Sequence, residues 1–357
     1  MFLQTAFILL PFLVLFEIAQ TASFSVDPSH FNPRESQKRC SYLRDHGMMA
    51  VDCYNLDLSS IPQDLRTNIE ILQATRNRIR DLYKDSFARY TDIKFLYLDD
   101  NMISYVENET FDPLQDLEVI RLSHNALVRI PSGVLRLPKI RKIFLDGNRL
   151  INEGGFVGAP VSESLESLTL ANCYLKELPP LKMLPNLSEL NVSGNDVKRI
   201  LPQQLAPMCK LHWLDLSGNS RLSERGESGC DCYLLDSWIR NKNIILQRGY
   251  KLNCESDKYD FSHCGNMTEA EEIYDTCKSR AAAKAQEAKV RKTWYLIGII
   301  LAAIIIIVML CLLYLHLRNK TIQQENKFAI NNNTDGKSVS QADEEIATDE
   351  LLKEIKC

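Results

Sequence analysis

Glycine and proline are scarce in this chain of 357 residues, at 14 and 13, which excludes a collagen-like or Pro/Gly-rich low-complexity protein. A surplus of either charge is also missing. Lys and Arg number 42 against 46 Asp and Glu, for a net charge of −4. Without a basic excess the chain has no general means of neutralising phosphates, so a nucleic-acid partner is not expected. The six histidines (His30, His46, His124, His212, His263 and His316) are scattered. None belongs to an H-E-x-x-H spacing, and neither a G-x-S-x-G elbow nor a P-loop occurs. No catalytic residues, metal site or cofactor are expected, and the chain does not read as an enzyme. Cysteine, by contrast, is plentiful: eleven residues suggest an oxidising compartment.

Long apolar runs are limited to two. The first, Phe7 to Phe16, is too short to span a bilayer and is followed by Ala19, Thr21, Ala22 and Ser23. That order predicts a secretory signal peptide over residues 1–22, although its first residues carry no Lys or Arg. The second, Trp294 to Leu315, contains no charge and no polar face. Roughly 20 apolar residues rising 1.5 Å each cross a hydrocarbon core of about 30 Å. Trp294, Tyr295 and Tyr314 sit where interfacial rings are favoured, and Arg318 and Lys320 end the run. The two runs predict a single-pass type I protein of the plasma membrane, spanning at 294–317, with a short cytoplasmic tail at 318–357. Lys278, Arg280, Lys284, Lys289, Arg291 and Lys292 crowd the outer flank, against the positive-inside tendency; a cleaved signal peptide sets orientation before that helix is made.

Between these runs the sequence repeats itself. The frame L-x-x-L-x-L-x-x-N-x-L fits Ile69, Leu72, Ala74, Asn77 and Ile79, and again Ile93, Leu96, Leu98, Asn101 and Ile103. Further copies start at Leu117, Ile140, Leu165, Leu187 and Leu211, in steps of 22 to 25 residues. One such unit cannot bury its apolar positions alone, whereas stacked units share one core. The frame resembles that of the leucine-rich-repeat family over residues 40–277. The resemblance implies an α/β-type repeat solenoid, a horseshoe with disulfide caps: an N-terminal cap at 40–66, seven repeats at 67–222 and a C-terminal cap at 223–277. Cys173 stands in the Asn place of the fifth copy, a substitution the family pattern allows, and is expected to be a buried thiol.

The capping cysteines also resemble the family's. Cys40 and Cys53 precede the first repeat, and Cys230 and Cys232 open a segment containing Trp238, with Cys254 and Cys277 beyond. The resemblance implies Cys40–Cys53 and crossed bridges Cys230–Cys254 and Cys232–Cys277. Cys264 can replace Cys277; Cys209 and Cys264 can pair together, or one can bond another chain. Connectivity does not follow from sequence. A zinc site from Cys230, Cys232, Cys254 and Cys264 is the alternative, and secretion favours disulfides over it.

Four sequons precede the apolar run, at Asn108, Asn186, Asn191 and Asn266, and are expected to be glycosylated; Asn191 falls on a strand of the inner face. Residues 278–293 read as a basic helical stalk, opened by a capping box at Thr268 to Glu271. The ending Ile355-Lys356-Cys357 resembles a ligand for a cytoplasmic PDZ adaptor. By the period of two along a strand and its neighbours, the second, third and fifth residues of each frame face solvent on the inner surface. The first four repeats then gather Ile71, Phe95, Tyr97, Val119, Arg121 and Phe144 into one apolar, aromatic patch with an Arg, the composition of binding hot spots. The expected function is recognition of an extracellular or cell-surface protein ligand in cell adhesion or cell–cell contact. Single-pass members with short tails resemble neuronal adhesion and synapse-organising proteins, and the size and plan resemble Lapsyn-type surface proteins. The other reading of the same scaffold is an innate-immune receptor or co-receptor.

Overall fold

The computed structural model describes residues 39–150, 161–223, 230–252, 254, 264 and 267–333, with side chains up to 325. The signal-like start, Asn266, and Ile355 and Cys357 of the adaptor motif lie outside these residues. The chain divides into two compact units, residues 1–278 and 279–357.

The first unit is a parallel β-solenoid. An antiparallel hairpin, β1 (Ser41–Asp45) and β2 (Met48–Asp52), starts a ten-stranded sheet. One three-residue strand per repeat follows: β3 (Ile71–Gln73), β5 (Phe95–Tyr97), β7 (Val119–Arg121), β8 (Lys142–Phe144), β9 (Ser167–Thr169), β10 (Glu189–Asn191) and β11 (Trp213–Asp215), closed by β12 (Ile245–Leu246). Each pairs in parallel with the next, and equivalent frame positions face each other throughout, as in Leu72↔Leu96 and Ile120↔Ile143. The outer side carries a small parallel pair, β4 (Asp81–Leu82) and β6 (Tyr105–Val106), and a 3-10 turn at Ser132–Arg136. Phe87 and Phe111 stack beneath it with centroids 5.9 Å apart.

Alternation explains the burial. The middle residue of each repeat strand points inward, and Leu72, Leu96, Ile120, Ile143, Leu168, Leu190 and Leu214 belong to one continuous core. The turn after each strand uses a left-handed residue at the eighth frame position in all seven repeats: Arg76, Asp100, His124, Gly147, Asn172, Gly194 and Gly218. At two of these glycine also makes room for its neighbour, since a Cβ on Gly147 would meet the His124 ring and one on Gly194 the Asn172 side-chain oxygen unless those side chains moved.

The ninth position closes the turn. Asn148, fully buried, donates to the carbonyls of Leu122 (2.9 Å) and Leu145 (2.8 Å) and accepts from Leu127 N–H (3.0 Å), tying two repeats together. Asn101, Asn195 and Asn219 do the same. Cys173 keeps the place sterically: its thiol lies 3.2 Å from the Leu145 carbonyl. Where an Asn would accept through its side chain, the Cys173 backbone carbonyl accepts from Leu150 N–H. The cysteine is free and buried, and burial pushes its thiol up to about 12.

The caps continue the stack. Cys53 and Asn55 hydrogen bond Gln73 and Thr75 backbone carbonyls, so the N-terminal cap stands as a partial repeat, stapled by Cys40–Cys53. At the other end lie α1 (Pro202–Leu205), α2 (Cys230–Asn241) and α3 (Thr268–Asn333). Here the expected pairing is corrected. The bridges are Cys230–Cys264, Cys232–Cys254 and Cys209–Cys277; Cys230 does not pair with Cys254, Cys232 does not pair with Cys277, and Cys209 and Cys264 do not join each other. Cys277 lies on the buried side of α3 beside the turn after α1, where Cys209 N–H reaches its sulfur at 3.2 Å. Cys230 and Cys232 stand two residues apart in the first turn of α2, facing different directions, and take the two loop cysteines instead. Lys242 sits over the rings of Trp238 (4.7 Å) and Tyr274 (4.2 Å) and pairs with Glu271, joining α2 to the start of α3.

The second unit contains most of α3. That helix is long and apolar enough to cross a membrane.

Candidate functional site

The frame's third and fifth residues form two columns across the sheet. One runs Ile71, Phe95, Val119, Lys142, Ser167, Glu189, Trp213, and the other Gln73, Tyr97, Arg121, Phe144, Thr169, Asn191, Asp215, each hydrogen-bonded neighbour opposite the next. All six residues of the expected patch therefore lie on adjacent strands.

They are not equally available. Ile71 and Phe95 retain 3% and 9% of their surface, in a small cluster with Ala50 on which Leu43 and Met48 of the β1–β2 hairpin pack. The expectation that these two face a ligand is corrected: the cap supplies its own apolar side chains to them. Tyr97, Val119, Arg121 and Phe144 are half-buried, each with surface open. Burial raises the Tyr97 hydroxyl to about 12, so the ring presents a neutral phenol.

Arg121 is held in place. Its Nε lies 2.6 Å from Asp99 Oδ2, and its guanidinium carbon lies 5.2 Å from the Phe144 ring centre. Asp99 also accepts from Ser123 N–H at 2.8 Å, and burial pushes its carboxyl up in spite of Arg121. Two repeats on, Asp146 plays the same part, accepting from Thr169 Oγ1 (2.7 Å) and Ala171 N–H (2.8 Å). A carboxylate at the seventh frame position thus pins the fifth-position side chain of the following repeat.

Two features escaped sequence reasoning. Lys142, half-buried in the third-position column beside Val119, has no ionic partner among the described residues. Along the second frame position, charges alternate as Glu70, Lys94, Glu118, Arg141, Glu166. Lys94 pairs with Glu70 at 2.6 Å, and Arg141 bridges Glu118 (3.7 Å) and Glu166 (2.8 Å). Lys94 holds the Glu70 carboxyl below the usual range. The signal was present in the sign alternation at a step of 23 to 25 residues.

The sequons differ in setting. Asn108 is exposed. Asn191, on β10, uses its oxygen to accept from Ser193 N–H (2.9 Å). Asn186 is engaged on both sides: its amide nitrogen donates to the Glu163 carbonyl and its oxygen accepts from Lys210 (2.6 Å).

The family model "Leucine rich repeat" matches residues 67–127 and 94–150, and a two-copy leucine-rich-repeat model matches 163–206. Podocan-like protein 1 of Homo sapiens is 27% identical over 222 residues, covering 54% of this chain and 42% of that protein. Lumican of Rattus norvegicus is 30% identical over 156 residues, 43% of this chain and 44% of that one. Toll-like receptor 9 of Mus musculus is 26% identical over 235 residues, 53% of this chain but 22% of the receptor. The chain thus spans less than half the length of each of these curated relatives. Among solved structures, a leucine-rich-repeat protein of Leptospira interrogans aligns with a TM-score of 0.42 at 22% identity, over 51% of this chain and 43% of that one.

Proposed function

We propose, from the premise that residues 67–150 and 163–206 are leucine-rich repeats homologous to those of extracellular and cell-surface proteins, that this chain is a membrane-anchored receptor for a protein partner in cell adhesion or cell–cell recognition. The repeat scaffold is typically a non-enzymatic protein-interaction surface. One observation carries the reading. Tyr97, Val119 and Phe144 stand open on neighbouring strands around an Arg121 whose position is already set by Asp99 and by the Phe144 ring. A patch of rings and a guanidinium fixed before binding loses little side-chain freedom on contact, which is what makes a few residues dominate an interface.

The apolar stretch of α3 supports a single membrane span with the repeats outside. The repeat face is then presented to other cells, and the PDZ adaptor proposed for Ile355 and Cys357 is met inside. Of the sequons with described surroundings, Asn108 and Asn191 are the proposed glycan carriers, since at Asn186 the nitrogen that would bear the sugar is engaged by the Glu163 carbonyl.

The test is a binding screen of the cell-displayed full-length protein against a library of surface proteins. For a partner so found, alanine at Tyr97 or Phe144 is expected to cost about 2 kcal/mol each, a hot-spot value. Undiminished binding in the Tyr97→Ala/Phe144→Ala variant, with loss on changing Trp213 instead, overturns the placement.

A further inference from the structure

The outer side of the first two repeats carries an aromatic surface that the strand face does not use. Its two-stranded sheet ends at β6: among the described residues no strand of the third repeat joins it. Tyr83, which follows β4, and Tyr105, in β6, lie with ring centres 5.8 Å apart. They leave 50% and 49% of their surfaces to solvent. An open strand edge beside exposed rings invites pairing with another chain, and folded proteins cover such edges.

β6 runs directly into the Asn108 sequon. Tyr105 stands three residues before Asn108, and Thr110 two after it. At the place of Tyr105 the other three sequons have Met183, Ser188 and His263. The turn that holds Asn108 is fixed from both sides. Thr110 N–H donates to the Glu107 carbonyl (3.1 Å), and the Thr110 hydroxyl to the Leu82 carbonyl of the first repeat (3.0 Å). The Glu107 carboxylate accepts from Lys84 N–H (2.8 Å), and the Asn108 carbonyl accepts from Arg136 of the third repeat (2.6 Å). The backbone is thus anchored, while the Asn108 side chain is exposed and makes no hydrogen bond among the described residues.

We propose that the Tyr83–Tyr105 pair seats the first sugar of an Asn108 glycan, an N-acetylglucosamine laid against the Tyr105 ring. The proposal rests on glycosylation of Asn108. Three residues span at most about 10 Å, so a single sugar on Asn108 has the Tyr105 ring within reach. The C–H bonds on one face of the sugar carry partial positive charge and complement the negative face of an aromatic ring. Their contact also removes apolar area of both from water. An anchored turn loses little freedom when the contact forms. The sugar then closes the open edge at β6, and the outer side of the first two repeats is shut to partner chains while the strand face stays open.

The test uses detergent-solubilised full-length protein produced with high-mannose glycans. Mass spectrometry of the Asn108 peptide first reads occupancy; a bare Asn108 ends the glycan reading and this proposal with it. On occupied protein, thermal unfolding midpoints are compared for the parent, Asn108→Gln, Tyr105→Thr and the double variant. Asn108→Gln is expected to lower the midpoint by about 2 °C in the parent and to leave it unchanged in the Tyr105→Thr background. Tyr105→Phe should keep the full effect of the glycan, since the ring and not the hydroxyl makes the contact. Trimming every glycan to one N-acetylglucosamine with endoglycosidase H should leave the parent's midpoint where it was, and a fall on trimming would move the contact to outer sugars and overturn the proposal. With Asn108 occupied, equal effects of Asn108→Gln with and without the Tyr105 ring overturn the seat but not the glycan. So does loss of self-association in sedimentation by the Tyr83→Thr/Tyr105→Thr variant, which would assign the rings to a second copy of this chain.

Discussion

Single side chains in this protein act mostly by finishing backbone hydrogen bonds that the tight turns leave open. Asn148 is the clearest case, with two carbonyls and one N–H from two repeats converging on its amide. Removing the amide leaves the buried Leu127 N–H without its acceptor and takes one donor each from the Leu122 and Leu145 carbonyls, which Asn125 and the Cys173 thiol still reach. Asn148→Ala should cost about 3 kcal/mol in urea unfolding; a loss under a few tenths would show the turn satisfied by other means. Cys173 occupies the equivalent place in the next repeat with a thiol whose ionisation burial suppresses. Alkylation needs the thiolate. Iodoacetamide at pH 8 should therefore spare Cys173 in the native protein and label it after denaturation, a contrast read from the mass of its proteolytic peptide. That Cys173 stays out of the disulfides was legible in the frame. That its backbone carbonyl substitutes for the missing Asn oxygen was not, because side-chain deletion says nothing of how a neighbouring N–H is turned.

At the scale of the strand, three-residue elements make the face. The period of two placed Ile71, Phe95, Tyr97, Val119, Arg121 and Phe144 on it from sequence, and the observed register aligns them in two columns. Exposure was the part not legible. Ile71 and Phe95 meet apolar side chains of the β1–β2 hairpin, a contact between segments whose geometry no local pattern encodes. The two residues thus belong to the stability of the capped end. Phe95→Ala should lower unfolding stability by about 3 kcal/mol, as large core truncations do. Tyr97→Ala, with its ring partly open, should cost markedly less stability while weakening partner binding. Equal destabilisation by the two in denaturant titrations would show that the column is uniformly buried. The alternating row from Glu70 to Glu166 belongs to this scale as well, since each ion pair joins one strand to the next.

For the molecule as a whole, the number of repeats, the direction of the core and the apolar helix followed from periodicity and length alone. A frame repeated at a step of 22 to 25 residues admits one way of burying its leucines, by stacking, and an uncharged run of bilayer length needs no tertiary information. The cap disulfides are different. Peptide mapping of the unreduced protein should recover Cys209–Cys277, Cys230–Cys264 and Cys232–Cys254; recovery of Cys232 linked to Cys277 would overturn the arrangement of α3 against the last repeat. Five cysteines of the C-terminal cap and Cys209 allow many pairings, and spacing favours none of them. The choice was made by where α3 packs: its buried face brings Cys277 to Cys209, leaving the first turn of α2 to the loop. Sequence determined what depends on a residue and its near neighbours, the inward leucines, the turn asparagines and the strand face. Tertiary structure alone decided which cysteines meet, which face residues the cap covers, and which charges are neutralised, because each of these depends on distances between segments far apart in the chain.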